Sequence, residues 1–202
     1  MTLQRIAVFS GKGGVGKTTI AAALAQVSGS TLLDTDPQLT ATDWGDRRSE
    51  PPAVISAQLG RVPQLLEQHP RAVIDTPGAL VGNLSAALRA VDLTLLVTGD
   101  GQPELDALPA SIDTAKAAGT PFVVVLNRLH PLASCGELME LIEHLGAPVC
   151  PVVIRERSAH RRAWEHGLTA NEHDPDGAAA RQIRSLWLWL SNRSEWLEAN
   201  HA

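Results

Sequence analysis

Apolar residues in this chain gather in short, mostly unbroken runs: Ile6–Ser10, Thr31–Leu33, Ala53–Ser56, Ala72–Ile74, Leu93–Thr98, Phe122–Leu126 and Val149–Ile154. A strand with one wet face alternates apolar and polar residues, whereas a strand covered on both faces does not; these runs therefore predict buried strands. Between them lie stretches with helical spacing: Lys17–Val27, Leu59–Gln68, Asn83–Ala90, Glu104–Ala118, Cys135–Leu145 and Ala159–His166. Gly29, Gly119 and Gly146 follow the first, fourth and fifth of these, where a left-handed glycine stops a helix. Alternating strands and helices predict an α/β fold, a doubly wound, mostly parallel sheet flanked by helices. No linker rich in Pro, Gly or Ser and no internal repeat divides residues 1–202, so a single domain is expected. Ligands of such sheets bind beyond the carboxyl ends of the strands, which directs attention to the polar residues there.

Composition narrows the class. The chain has 202 residues, enough to bury a full core around a central sheet. With 44% hydrophobic and 19% charged residues it reads as a globular protein rather than a disordered chain. Cys135 and Cys150 lack paired metal spacing and suit a reducing cytoplasm without a disulfide framework. The N-terminus has no charged-then-apolar signal region, and no run approaches the roughly 20 apolar residues of a membrane span. A net charge of −5 excludes a surface coated in basic groups, so any nucleic-acid contact must be a local patch.

The most informative stretch is Gly11 to Thr18, GKGGVGKT, which has the phosphate-loop pattern of Gly, four residues, then Gly-Lys-Thr. Here Gly11, Gly13, Gly14 and Gly16 let successive N–H groups around Val15 turn onto phosphate oxygens, and the helix that follows adds its positive end. Lys17 is placed to neutralise the terminal phosphates, and the Thr18 hydroxyl to sit on Mg²⁺. An apolar run feeds this loop and a helix-forming run beginning at Thr19 leaves it, as the chemistry requires.

Other strand ends carry matching groups. Asp34-Thr35-Asp36-Pro37-Gln38 puts two carboxylates at the mouth of that site, although Asp-Pro alone also marks a turn. Asp75 closes an apolar strand before Thr76-Pro77-Gly78, the position of a magnesium aspartate opposite Thr18 in phosphate-loop proteins. Asn127 ends another buried strand; it offers one amide donor and one acceptor, or simply starts a turn.

KGGVGKTT from Lys12 to Thr19, with DxDPQ from Asp34 to Gln38 and Trp44 beyond it, resembles the small ParA-type members of the ParA/MinD family. The resemblance runs from Gly11 to the Gly167-Leu168 segment and beyond. It implies a P-loop ATPase with ATP and Mg²⁺ as cofactors, forming a nucleotide-sandwich homodimer. In that dimer Lys12 reaches the phosphates bound by the other subunit, so dimerisation and ATP binding become one event; residues alone would also allow a solvated surface lysine. By the same resemblance Asp36 orients the attacking water and helps hold the Mg²⁺ shell, Asp34 supports it, and Asn127 bonds the adenine edge. Arg155 and Arg157 lie in the segment that covers the base, although relatives often carry Pro where Arg155 stands. No helix-turn-helix precedes the loop, as in the short class without an operator-binding domain.

Arg155, Arg157, Arg161 and Arg162, four arginines against the single Glu156, form the densest basic cluster. Such a run is either a solvated helix face or a patch for non-specific DNA, which Arg181 and Arg184 could join. Trp187, Trp189 and Trp196 mark a last helix from Ile183 to Leu197 in which Ile183, Leu186, Trp187, Leu190 and Leu197 share a stripe. Its mixed charges, Arg184, Arg193, Glu195 and Glu198, differ from the basic face of a membrane-seeking helix. The favoured expectation is a cytoplasmic, nucleoid-associated partition or positioning ATPase that binds DNA and is released when a ParB-like or cargo-adaptor protein stimulates hydrolysis. The alternative is a membrane-associated MinD-like regulator.

Overall fold

The computed structural model describes residues 3–79 and 82–192. Six parallel strands form one sheet in the order β3-β2-β4-β1-β5-β6. They are β1 (Arg5–Phe9), β2 (Thr31–Asp34), β3 (Val54–Ser56), β4 (Ala72–Asp75), β5 (Leu93–Thr98) and β6 (Phe122–Leu126). The helices among the described residues are α1 (Lys17–Ser28), α2 (Thr40–Gly45), α3 (Val62–Gln68), α4 (Leu84–Arg89), α5 (Gln102–Ala118), α6 (Gly136–His144), α7 (Ser158–Glu165), α8 (Ala170–His173) and α9 (Ala178–Ser191).

The period of two along each strand divides the core into two layers. Ile6, Val8, Leu32, Val73, Leu95, Val123 and Val125 face a layer containing α1, α9 and Trp44. Ala7, Phe9, Leu33, Ile74, Leu96, Val124 and Leu126 face one built with Val62, Leu66, Leu84, Leu88, Leu108 and Ile142. Both faces are dry, which is why the strands read as continuous apolar runs. The glycine caps hold as expected: Gly29, Gly119 and Gly146 have φ of 64°, 73° and 71°.

The expected strand at Val149–Ile154 does not form. That segment follows the β6 edge only through isolated bridges, Val124 with Val149 and Leu129 with Arg155. Pro151 has no N–H to donate, and the chain bends there before Ile154 rejoins β6 through Leu126. Two short helices, α2 and α8, were not anticipated, and α9 begins at Ala178 rather than Ile183. On α9, Ile183, Leu186 and Leu190 are buried and Leu188 is 61% exposed, as the stripe implies. Trp189, off that stripe, nonetheless packs against the α1-side core alongside Trp187. Arg193, Glu195, Trp196, Leu197 and Glu198 of the expected helix lie outside the described residues.

Candidate functional site

β1 stands at the centre of the sheet between β4 and β5, and the Gly11–Gly16 loop leaves its carboxyl end. Gly14 and Gly16 adopt φ of 84° and 89°, which a side chain would strain, and Gly16 is the N-cap of α1. The Gly11 N–H donates to the Ser111 hydroxyl on α5 at 3.0 Å, fixing the start of the loop. Gly78 is needed for room rather than for its φ: a Cβ there would lie 2.9 Å from the Gly13 Cα and 3.1 Å from the Lys17 Nζ.

A cavity of about 780 Å³ opens over this loop. Gly13, Gly14, Gly16, Lys17, Thr18 and Thr19 line it, with Asp36, Asn127, Arg155 and Arg157 from later strand ends and loops. Thus the structure gathers most of the sequence-derived site around one space. Gly11, Lys12, Val15 and Asp75 stand apart from its lining. Val15 is buried in the core and Asp75 lies fully buried behind the loop, while Lys12 is exposed. A larger groove of about 860 Å³ on the other side of the Thr35–Leu39 segment shares Asp36 but carries neither loop glycines nor a lysine. Of these two cavities, the loop glycines and Lys17 line the first.

Lys17 is 5% exposed and its Nζ donates to the Lys12 carbonyl at 3.3 Å. Burial holds its ammonium below the usual lysine range, with Asp75 and then Asp36 opposing that shift. Burial pushes the Asp75 carboxyl up to about 7; the nearby Thr18 side chain opposes this, Asp34 adds to it, and Lys17 opposes it in turn. Neither Asp75 carboxylate oxygen has a partner in hydrogen-bond geometry, although the Thr18 side chain is near enough to favour its charged form. The nearest positive group to Asp75, Lys17, donates instead to the Lys12 carbonyl, and a divalent cation reached directly or through water would supply the missing contacts. Thr18, Asp36 and Asp75 therefore fit Mg²⁺. Among the described residues no group of three or more His, Cys, Asp or Glu encloses a metal alone. Mg²⁺ shared with nucleotide phosphates and waters requires no such group.

Asp34 serves differently. Its Oδ2 accepts from the Thr42 N–H and Thr42 hydroxyl, both at 2.8 Å, and its Oδ1 accepts from the Asp36 N–H at 3.2 Å. It pins α2 and the Asp36 turn to the strand end. Asp36 is half-buried, and its Oδ1 accepts from the Gln38 N–H at 2.9 Å.

Asn127 is 3% exposed and its Nδ2 donates to the Val15 carbonyl at 2.7 Å, so its amide grips the loop from below. The Arg155 guanidinium donates to the carbonyls of His130 and Ala133 at 3.0 and 2.6 Å, tying down the turn after β6. Arg157 donates to Gln182 Oε1 at 3.4 Å. Of the basic cluster, Arg161 and Arg162 on α7 are the exposed members, so the outward patch is narrower than the sequence run. Arg181 and Arg184 are also exposed, each donating into the turn at Asp176 and Pro175.

Sequence reasoning gave Arg48, Trp164 and Glu172 no role. Trp44 stacks on Trp164 with ring centroids 5.1 Å apart, and the Arg48 guanidinium lies 4.4 Å over Trp44. Arg48 also pairs with Glu172 at 2.7 Å, so α2, α7 and α8 are fastened together beside the cavity that Trp164 helps to line. The local signal was no more than the four-residue spacing of Trp44 and Arg48, the latter beyond the end of α2, and the partners are more than a hundred residues away.

Residues 6–170 match the CobQ/CobB/MinD/ParA nucleotide binding domain. The chain belongs to this family. It is 36% identical over 181 residues to the maintenance of carboxysome distribution protein A of Gloeobacter kilaueensis, covering 81% of this chain and 82% of that protein. Its fold is similar to the septum site-determining protein MinD of Pyrococcus horikoshii with Mg-ADP, at TM-score 0.75 and 18% identity, covering 96% and 98% of the two chains. It is also similar to an aspartate-to-alanine variant of McdA from Cyanothece bound to ATP, at TM-score 0.73 and 16% identity, covering 94% and 96%. The matched span includes Gly11–Thr18, and the six-stranded parallel sheet is the P-loop type expected from the strand pattern.

Proposed function

We propose that this protein is an ATP-dependent positioning ATPase that works as a nucleotide-sandwich homodimer. The observation that carries the reading is the division between its two loop lysines. Lys17 is buried against Asp75 and Asp36 within its own cavity, while Lys12, in the same loop, is exposed and outside that cavity. A phosphate-loop lysine directed away from its own site suits a site on a second subunit. Two ATP-loaded subunits facing each other would satisfy both charges.

Thr18, Asp36 and Asp75 would hold Mg²⁺, which would neutralise phosphate charge. Lys17 binds the terminal phosphates, Asp36 orients a water, and Asn127 with the Arg155–Arg157 segment borders the base. Phosphoryl transfer depends mainly on positioning and charge, so turnover without a stimulating partner should be slow. Arg161 and Arg162 would hold the dimer on non-specific DNA in the cytoplasm until an adaptor protein triggers hydrolysis. The carboxysome-distribution relative supports a protein assembly as the cargo. Among the described residues no helix is long and apolar enough to cross a membrane.

Size-exclusion chromatography with light scattering tests the central claim: ATP with Mg²⁺ should double the mass, and ADP should not. Co-sedimentation of the ATP form with DNA and, separately, with anionic liposomes then separates the DNA reading from a MinD-like one. A protein that stays monomeric with ATP and Mg²⁺ would refute the sandwich.

A further inference from the structure

Directly after Asn127 comes Arg128, a residue given no role above. Arg128 has φ of 60°, a left-handed conformation that disfavours any residue with a Cβ. The turn has a consequence. Consecutive residues of an extended strand point to opposite faces, but here both side chains reach the same loop. Asn127 Nδ2 donates to the Val15 carbonyl at 2.7 Å, and Arg128 Nη1 donates to the Gly14 carbonyl at 2.5 Å.

In a trans peptide the C=O and N–H point in opposite directions. Holding the Gly14 and Val15 carbonyls therefore turns the N–H groups of Val15 and Gly16 away from these two donors, toward the side where an anion would sit. The other contact of Arg128, Glu156 at 3.7 Å, joins side chains 57% and 60% exposed and is worth little. It does not account for the left-handed backbone. The loop contact does.

From this geometry we infer that Arg128 is a positioning residue for the phosphate loop: it orients the Gly14–Val15 peptide so that its N–H faces the nucleotide phosphates. The inference rests on the nucleotide reading of the cavity. It predicts that removing the guanidinium weakens ATP and ADP binding without weakening the fold, because glycine and asparagine both tolerate the left-handed backbone better than arginine.

The test is calorimetric titration of Mg-ATP and Mg-ADP into the parent and the Arg128→Gly, Arg128→Asn and Arg128→Lys proteins, with the nucleotide-free thermal midpoint of each. Gly and Asn should weaken both nucleotides about five- to tenfold, the worth of one exposed charge-assisted hydrogen bond. Their midpoints should match or exceed the parent's, and Lys should recover part of the affinity. Parent-like affinity in Arg128→Gly would overturn the inference. So would a Lys protein as weak as the Gly protein, or midpoints that fall in step with affinity, which would make the role structural. A parent that binds neither nucleotide would overturn the nucleotide reading itself.

Discussion

Asp34 and Asp75 are register partners on the neighbouring parallel strands β2 and β4, yet hydrogen bonds reach only the first. Both carboxylates are fully buried. Asp34 is satisfied by Thr42 and the Asp36 backbone, so its charge is spent on holding α2 in place. Asp75 has no such bonds. One strand end thus anchors α2 and the Asp36 turn, and its neighbour keeps a buried carboxylate whose oxygens are open to a cation.

Exchanging Asp75 for asparagine should separate stability from activity. Burial penalises the Asp75 carboxylate by more than Lys17 nearby offsets, so the nucleotide-free Asp75→Asn protein should gain about 1 kcal/mol in urea unfolding. Mg²⁺-dependent phosphate release should fall to background, since the cation loses its anionic anchor. A destabilised Asp75→Asn protein with unchanged hydrolysis would contradict the magnesium assignment.

Lys17→Ala removes a buried ammonium that sits between carboxylates and the phosphate site. Losing a charge-assisted contact to phosphate should weaken ATP by at least about a hundredfold in calorimetry. The same change leaves Asp75 and Asp36 without their nearest cation, so affinity should not be restored by raising Mg²⁺ alone.

Glu172 gives a pH signature remote from the loop. Burial alone would raise its carboxyl, but hydrogen bonds from Arg48, then from the Thr169 N–H and hydroxyl, outweigh it and hold it below the ordinary value of 4.5. A group depressed on folding contributes stability that is complete above its unfolded pKa and lost as pH falls through the folded one. The thermal midpoint should therefore drop below pH 4.5 more steeply in the parent than in Glu172→Gln. At pH 7 the parent should be the more stable of the two, and the gap should close in acid.

How far the sequence spoke depended on whether a signal was local. Strands such as Leu93–Thr98 were plain because both faces are dry, and the loop glycines were plain because their spacing is fixed by phosphate geometry. The supposed strand at Val149–Ile154 has the same apolar composition but lacks a donor at Pro151, and apolar composition says nothing about hydrogen bonding. Asn127 was recognised at its strand end, but its bond to Val15 depends on how two distant loops meet. The Trp44–Trp164 stack and the Arg48–Glu172 pair escaped for the same reason: each joins residues far apart in the chain.

The two lysines and Asp36 should come apart in assembly experiments. Lys12→Ala leaves the buried Lys17 site intact and should bind ATP within about threefold of the parent, yet fail to dimerise in light scattering. Asp36→Ala keeps both lysines and should dimerise with ATP but not release phosphate, because the water is no longer oriented. ATP-driven dimers of Lys12→Ala would end the trans-lysine assignment.

On the proposed reading, DNA contact would depend on Arg161 and Arg162, the exposed members of the basic cluster on α7. Arg155 is occupied with the carbonyls of His130 and Ala133, and Arg157 with Gln182, so neither is available as a mobile phosphate ligand. A monomer then offers a patch of only two arginines, too weak to hold DNA, while a dimer doubles it. Binding should accordingly require ATP and ignore sequence. Each neutralised phosphate releases counterions, so affinity should fall by roughly 0.9 log units per log unit of salt for every contact. With four arginines engaged across the dimer, the slope should lie near −3.6, about 0.9 times four. Changing Arg161 and Arg162 to Glu should abolish the gel shift; Arg161 also lines the nucleotide cavity, so ATP-driven dimerisation is checked in Arg162→Glu, whose side chain lies outside that lining, and should persist there. A double mutant that shifts DNA at low salt as well as the parent would remove α7 from the interface and direct attention to Arg181 and Arg184 on α9.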